Sequence, residues 1–121
     1  MKDYDALPML MGEAEIAAAT NELLSEARAE PRPDPQVVAE ALVGMISRQS
    51  SLYKPFAPEL VQRIDDWVVE VWATSPLPLF DALATVAANL GTPRVRARLE
   101  EARKDPDPRV RDIAEETLAE L

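Results

Sequence analysis

The tetrapeptide Pro-Arg-Val-Arg stands twice in this chain, at 93–96 and at 108–111, with Asp105-Pro106-Asp107 just before the second copy. Repeated arginines could grip an anionic ligand twice, and two aspartates two residues apart could invite a cation. The same residues have a plainer use. Proline at the first helical position loses nothing, because its missing N–H would be an unpaired donor there anyway. An aspartate just before it caps the next free donors. Read this way, Asp105 and Asp107 make a turn and a cap, and the doubled tetrapeptide marks two helix starts. The chain has no cysteine and no histidine. Thiolate and imidazole metal sites, cysteine nucleophiles and histidine general bases are therefore excluded. The serines have no imidazole to activate them, no glycine-rich loop is present to cradle a phosphate, and no pair of carboxylates stands out. The expectation is a protein without catalysis, cofactor or metal.

The elements that position these residues are helices. Asp34-Pro35, Ala57-Pro58, Ser75-Pro76, Thr92-Pro93 and Asp107-Pro108 all read as starts, and apolar residues follow each at helical spacing. A first helix over about 13–29 carries Ile16, Thr20, Leu23, Leu24 and Ala27. A second, about 35–48, carries Val38, Ala41, Leu42, Met45 and Ile46, with Gly44 allowing a close helix contact. The third, about 58–73, has the cleanest stripe: Leu60, Val61, Ile64, Trp67, Val68, Val71 and Trp72. The fourth, about 76–90, is polar only along Asp81, Thr85 and Asn89, so it reads as sandwiched between neighbours. Val95, Leu99 and Ala102 belong to a fifth helix, and Val110, Ile113, Ala114, Leu118 and Leu121 to a sixth. No stretch alternates as a strand would. The predicted class is all-α, with about six helices in one domain of 121 residues. Its expected parts are an N-terminal helix and linker (1–33), a helical hairpin (34–75) and a final segment (76–121).

Aligning 76–90 with 107–121 at an offset of 31 residues matches Leu79 to Val110, Leu83 to Ala114, Ala87 to Leu118 and Leu90 to Leu121. Two helices in about 30 residues is a solenoid period. The stretch LGTPRVRARLEEARKDPDPRVRDIAEETLAEL, residues 90–121, resembles the HEAT-like repeats of the phycobilisome-lyase type. Leu90-Gly91 ends one helix, Pro93 opens the next, and Asp-Pro-Asp-Pro precedes Val110-Arg111. The resemblance covers 76–121, and 34–75 reads as a degenerate repeat or a separate helical cap. It implies a short right-handed stack of helical hairpins whose usual work is binding another protein. It also implies that Val110 is core and that Arg111 reaches carboxylates or carbonyls of the preceding turn. Nothing in these residues argues for a bilin site.

Charge narrows the partner. The net charge is −9, which suits a basic protein better than free nucleic acid. No apolar run approaches the ~20 residues that span a membrane. No basic lead followed by a long apolar stretch opens the sequence, so a cytoplasmic protein is expected. Residues 94–111 hold seven of the 13 basic residues against four acids, whereas the first 91 hold six against 14. The family geometry places the fifth helix on the concave surface, where Arg94, Arg96 and Arg98 could hold an acidic peptide or a phosphate. The favoured alternative is pairing within the helix, Arg96 with Glu100 and Arg98 with Glu101. On the third helix Glu59, Asp66 and Glu70 share one line, with Asp65 adjacent, and Trp72 sits at the edge of the apolar stripe. The expected partner surface is therefore Glu59, Asp66, Glu70, Trp72, Arg94 and Arg98. The sixth helix's Asp112, Glu115, Glu116 and Glu120 read as a polar end-cap tolerant of change. Tyr53 and Phe56, in the loop 50–57, either plug the core or present a contact.

Two functional classes follow. The first is a non-catalytic protein-binding module, an adaptor or an inhibitor or immunity-type protein that neutralises a basic toxin or nuclease. The alternative is a helical-repeat protein that binds nucleic acid or phosphate groups through the arginine-rich helix.

Overall fold

A computed structural model describes all 121 residues. The chain is all-α. Six helices follow one another: α1 Glu13–Arg28, α2 Pro35–Ser50, α3 Pro58–Val71, α4 Leu77–Leu90, α5 Pro93–Ala102 and α6 Pro108–Ala119. A single 3-10 turn, Tyr4–Ala6, precedes them. No helix is long and apolar enough to cross a membrane.

Three of the starts, those of α2, α5 and α6, follow the proline-and-cap rule in full. Asp34 accepts from the Gln36 N–H at 2.9 Å, Thr92 from Val95 at 3.4 Å, and Asp107 from Arg109 at 2.9 Å. A proline occupies the first turn of each of these three helices. At α4 the register differs from the Ser75–Pro76 expectation. Pro76 is itself the cap residue, no side chain caps the helix, and α4 begins at Leu77. Its other end is sharp. Gly91 takes φ +60, a left-handed conformation that costs glycine little, and its N–H donates to the Ala87 carbonyl at 3.0 Å.

The chain divides into two compact units, Met1–Ile64 and Asp65–Leu121. The boundary falls inside α3. The second half of α3 belongs with the C-terminal unit because its aspartates are tied to α5, as described below.

In the first unit α1 packs on α2. Their buried residues include every position of the two predicted stripes, from Ile16, Leu23 and Leu24 to Val38, Leu42, Met45 and Ile46. Arg48 lies among them and is buried. Its guanidinium donates to the carbonyls of Leu7 and Pro8, each at 2.9 Å, and to that of Tyr4 at 3.4 Å. The N-terminal turn is thereby fastened to α2. Gly44 gives this guanidinium its space: a Cβ there would stand 3.2 Å from an Arg48 nitrogen. The predicted close helix contact at Gly44 is thus a contact with the chain's own arginine. Tyr4 is buried beneath the turn, and no hydrogen bond of ordinary geometry reaches its hydroxyl. Burial first, then the nearby Glu26 carboxylate, hold that hydroxyl protonated well above its usual range.

In the second unit α6 packs against both α4 and α5. Phe80, Ala102, Val110 and Ala114 form a buried cluster, with Trp72, Leu77 and Ile113 half-buried against it. Trp72 meets Phe80 edge-on, ring centroids 5.8 Å apart. α4 is buried over most of its girth, and Asp81, Thr85 and Asn89 are its exposed line, as its composition predicts. Leu118 and Leu121, expected as core, are only half-buried, because they lie in the last turn of α6 and just beyond it.

Candidate functional site

Two places on the C-terminal unit bring together side chains able to recognise something. The first joins α3 to α5. Asp65 and Asp66 are neighbours in sequence but differ in surroundings: the Asp65 side chain is 3% exposed and that of Asp66 is 46%. Thr92 donates its hydroxyl to Asp65 at 2.5 Å while the same oxygen caps α5. One nitrogen of Arg94 lies 3.2 Å from Asp65 and 2.6 Å from Asp66. Hydrogen bonding to Asp66 leads the causes that raise the Arg94 pKa, so the guanidinium stays charged. One cation, one hydroxyl and two carboxylates satisfy each other.

This changes the meaning of the expected partner surface. Asp66 and Arg94, assigned to meet a partner, meet each other. Trp72 packs its ring on Phe80 instead of standing free. Arg98 is half-buried and enters no ion pair. Glu70 is exposed on α3, and Glu59 is exposed in the first unit. The pairs expected inside α5 are not formed: Glu100 accepts from Arg103 at 3.0 Å, and Arg96 stays in solvent. Geometry explains the difference. The carboxylates of α3 lie within reach of the first turn of α5, where Arg94 stands.

The second place is a groove of about 290 Å³ between α4 and α6. Ala84, Ala88 and Ile113 give it an apolar floor, and Asp81, Glu116 and Glu120 give it carboxylates. None of the three forms an ion pair, and no basic side chain lines the groove. Thr85 donates to the Asp81 carbonyl at 3.1 Å, Asn89 to the Thr85 carbonyl at 2.9 Å, and Thr117 to the Ile113 carbonyl at 2.7 Å. Sequence reasoning singled out the Asp81–Thr85–Asn89 line but did not join it to α6. The offset of 31 residues was the available signal, because it aligns Thr85 with Glu116 and Asn89 with Glu120.

The loop aromatics separate. Tyr53 is 97% exposed, with φ +54, and Phe56 is half-buried. Gln49, buried at the end of α2, holds this loop by donating to the carbonyls of Lys54 and Pro55 at 3.1 and 3.3 Å. No cluster of carboxylates comes together closely enough to hold a metal ion. Asp105 and Asp107 act as a turn and a cap: Asp105 accepts from the Asp107 N–H at 2.9 Å, and Asp107 from Arg109. Comparison with protein families, with characterised proteins and with solved structures finds no match.

Proposed function

We propose that this chain is a non-catalytic, cytoplasmic protein-binding module whose partner is a basic protein, working as an adaptor or as an inhibitor or immunity-type protein. On this reading it is a short right-handed HEAT-like stack. In support of the stack, α4 and α6 begin 31 residues apart, at Leu77 and Pro108, and α6 packs on both members of the preceding pair. The equivalent positions Leu79 and Val110, Leu83 and Ala114 are all buried.

The observation that carries the partner's charge is the fate of the basic residues. Only Arg96, Arg98 and Lys104 lack a side-chain interaction within the chain. By contrast, Asp112, Glu115, Glu116 and Glu120 of the α6 region, and Asp81 and Glu101 elsewhere in the unit, enter no ion pair. An approaching molecule therefore meets negative charge whose cations are already engaged. Long-range attraction of a basic partner follows from that imbalance.

Affinity capture from the native lysate, with mass-spectrometric identification, is the test. The expected partner is a protein of basic surface whose association rate falls as salt is raised. The second reading, a nucleic-acid or phosphate binder, draws on the freedom of Arg96 and Arg98 on α5. Steep salt-dependent retention on heparin, without a basic protein partner, would replace the first reading with the second.

A further inference from the structure

We infer that the groove between α4 and α6 is the seat of a lysine- or arginine-bearing segment of the partner, an inference that rests on the basic-partner reading above. The groove differs from a merely acidic stretch of helix in three respects. It is concave, about 290 Å³ in volume, enough for cationic side chains and the chain that carries them. Its floor is apolar, through Ala84, Ala88 and Ile113, and so suits the methylene stems of such side chains. Its walls offer mainly acceptors, led by the carboxylates of Asp81, Glu116 and Glu120.

The last point decides the chemistry. The hydroxyls of Thr85 and Thr117 give their single protons to carbonyls of their own helices, and Asn89 gives one of its two amide N–H groups to the Thr85 carbonyl. Their hydroxyl and amide oxygens remain able to accept. Asp81, Glu116 and Glu120 present carboxylates with no cation beside them. A guest rich in acceptors, such as a phosphate or an acidic peptide, would meet three carboxylates and a single free amide N–H, that of Asn89. An ammonium or a guanidinium is all donor and meets that lining directly. A bare metal ion is disfavoured by spacing, since the carboxylates do not converge on one point. Charges spread along a groove call for charges spread along a chain. The occupant is therefore a basic protein segment.

The test uses the full chain, isotope-labelled for amide spectra, and an acetylated, amidated hexa-arginine peptide at low salt. Amide shifts should concentrate on Asp81, Thr85, Asn89, Glu116, Thr117 and Glu120. A variant with Asp81→Asn, Glu116→Gln and Glu120→Gln should weaken binding about tenfold, the combined loss of three exposed charge contacts. A control with Glu101→Gln, Asp112→Asn and Glu115→Gln removes the same net charge outside the groove. It should weaken binding by no more than about twofold, through the general field alone. Ala88→Phe changes no charge but fills the groove, and it should weaken binding about as much as the first variant, with the amide spectrum showing that the fold persists. Equal weakening by the two charge variants, or shifts centred on α3 and α5, would overturn the groove while leaving a basic partner in place. Absence of peptide binding anywhere on the chain would overturn both readings.

Discussion

Asp65 and Asp66 offer a test in which one helix, one cation and two consecutive carboxylates should give very different energies. Asp65 accepts from Thr92 at 2.5 Å and lies 3.2 Å from the Arg94 guanidinium as an ion pair, with its side chain 3% exposed. A buried hydrogen bond to a charged group is worth roughly 1.5–3 kcal/mol. Removing the carboxylate also removes its desolvation cost, but it leaves the Thr92 hydroxyl without its acceptor. A net loss of about 2 kcal/mol follows for Asp65→Ala. Asp66→Ala deletes a pair whose partners are 46% and 47% exposed, and such pairs contribute only about 0–1 kcal/mol. For a chain of this length about 1 kcal/mol moves the melting temperature by roughly 4 °C. Calorimetric melts should therefore show Asp65→Ala about 8 °C below the parent and Asp66→Ala within about 4 °C of it. A double-mutant cycle of Asp65→Ala with Thr92→Val should give a coupling of about 0.5–3 kcal/mol. Equal destabilisation by the two alanine variants would refute the argument. It would mean that exposure does not separate the two aspartates and that α3 is not hooked to α5 through Asp65.

Three further outcomes follow from the same structure. Val110→Asp places a charge in the cluster of Phe80, Ala102 and Ala114, and it should cost several kcal/mol; a melting temperature within a degree or two of the parent would show that residue 110 is not core. Gly91→Ala puts a Cβ on a backbone at φ +60, and urea titration should show a loss of about 1–2 kcal/mol. The Arg109 side chain, and then its backbone N–H, hold the Asp107 carboxyl below the ordinary carboxylate range. A carboxyl depressed in the folded state stabilises above its unfolded pKa of about 3.9, and that contribution is lost as pH falls through the folded value. Asp107→Asn keeps the cap, so its urea midpoint should lie below the parent's at pH 6, with the gap closing below about pH 4. A gap that is the same at pH 6 and pH 2 would contradict this.

The helices were legible because their signals are local. Proline after a capping residue, and apolar residues on one stripe, depend only on near neighbours, and the observed bounds lie close to the predicted ones. The contacts that join elements were harder to see. Asp65 looked like one more solvated acid beside Asp66, and its partner Thr92 is 27 residues away. One signal was present: Val61, Val68, Val69 and Trp72, one to two turns from Asp65, are all apolar. Such surroundings mark a carboxylate that needs an internal donor. Arg48 is similar. It follows Met45 and Gly44 on the buried side of α2, and its acceptors are carbonyls 40 to 44 residues earlier, in a turn that no apolar periodicity announces. The same limit applies at the groove, where the sequence shows one wall at a time.

The doubled Pro-Arg-Val-Arg separates what repetition fixes from what it leaves free. Both prolines open helices, and Val95 and Val110 are both buried. The arginines diverge. Arg94 reaches back to α3, whereas Arg109 folds onto Asp107 of its own cap, at 2.9 Å. Arg96 stands in solvent, whereas Arg111 donates to the carbonyls of Asp105 and Pro106, at 2.9 and 3.2 Å. The turn before each copy explains the contrast. Asp105-Pro106-Asp107 offers carbonyls and a carboxylate to the arginines of the second copy, whereas no arginine side chain of the first copy donates to Gly91-Thr92. A ligand gripped twice in the same way would need the two pairs of arginines to be alike, and they are not. Arg111→Ala should then cost about 1 kcal/mol, because a charged donor leaves two carbonyls of a tight turn. Arg96→Ala should stay within about 0.5 kcal/mol of the parent. Matched losses in the two variants would show that the second arginine of each copy has the same role, and that the local turn does not govern it.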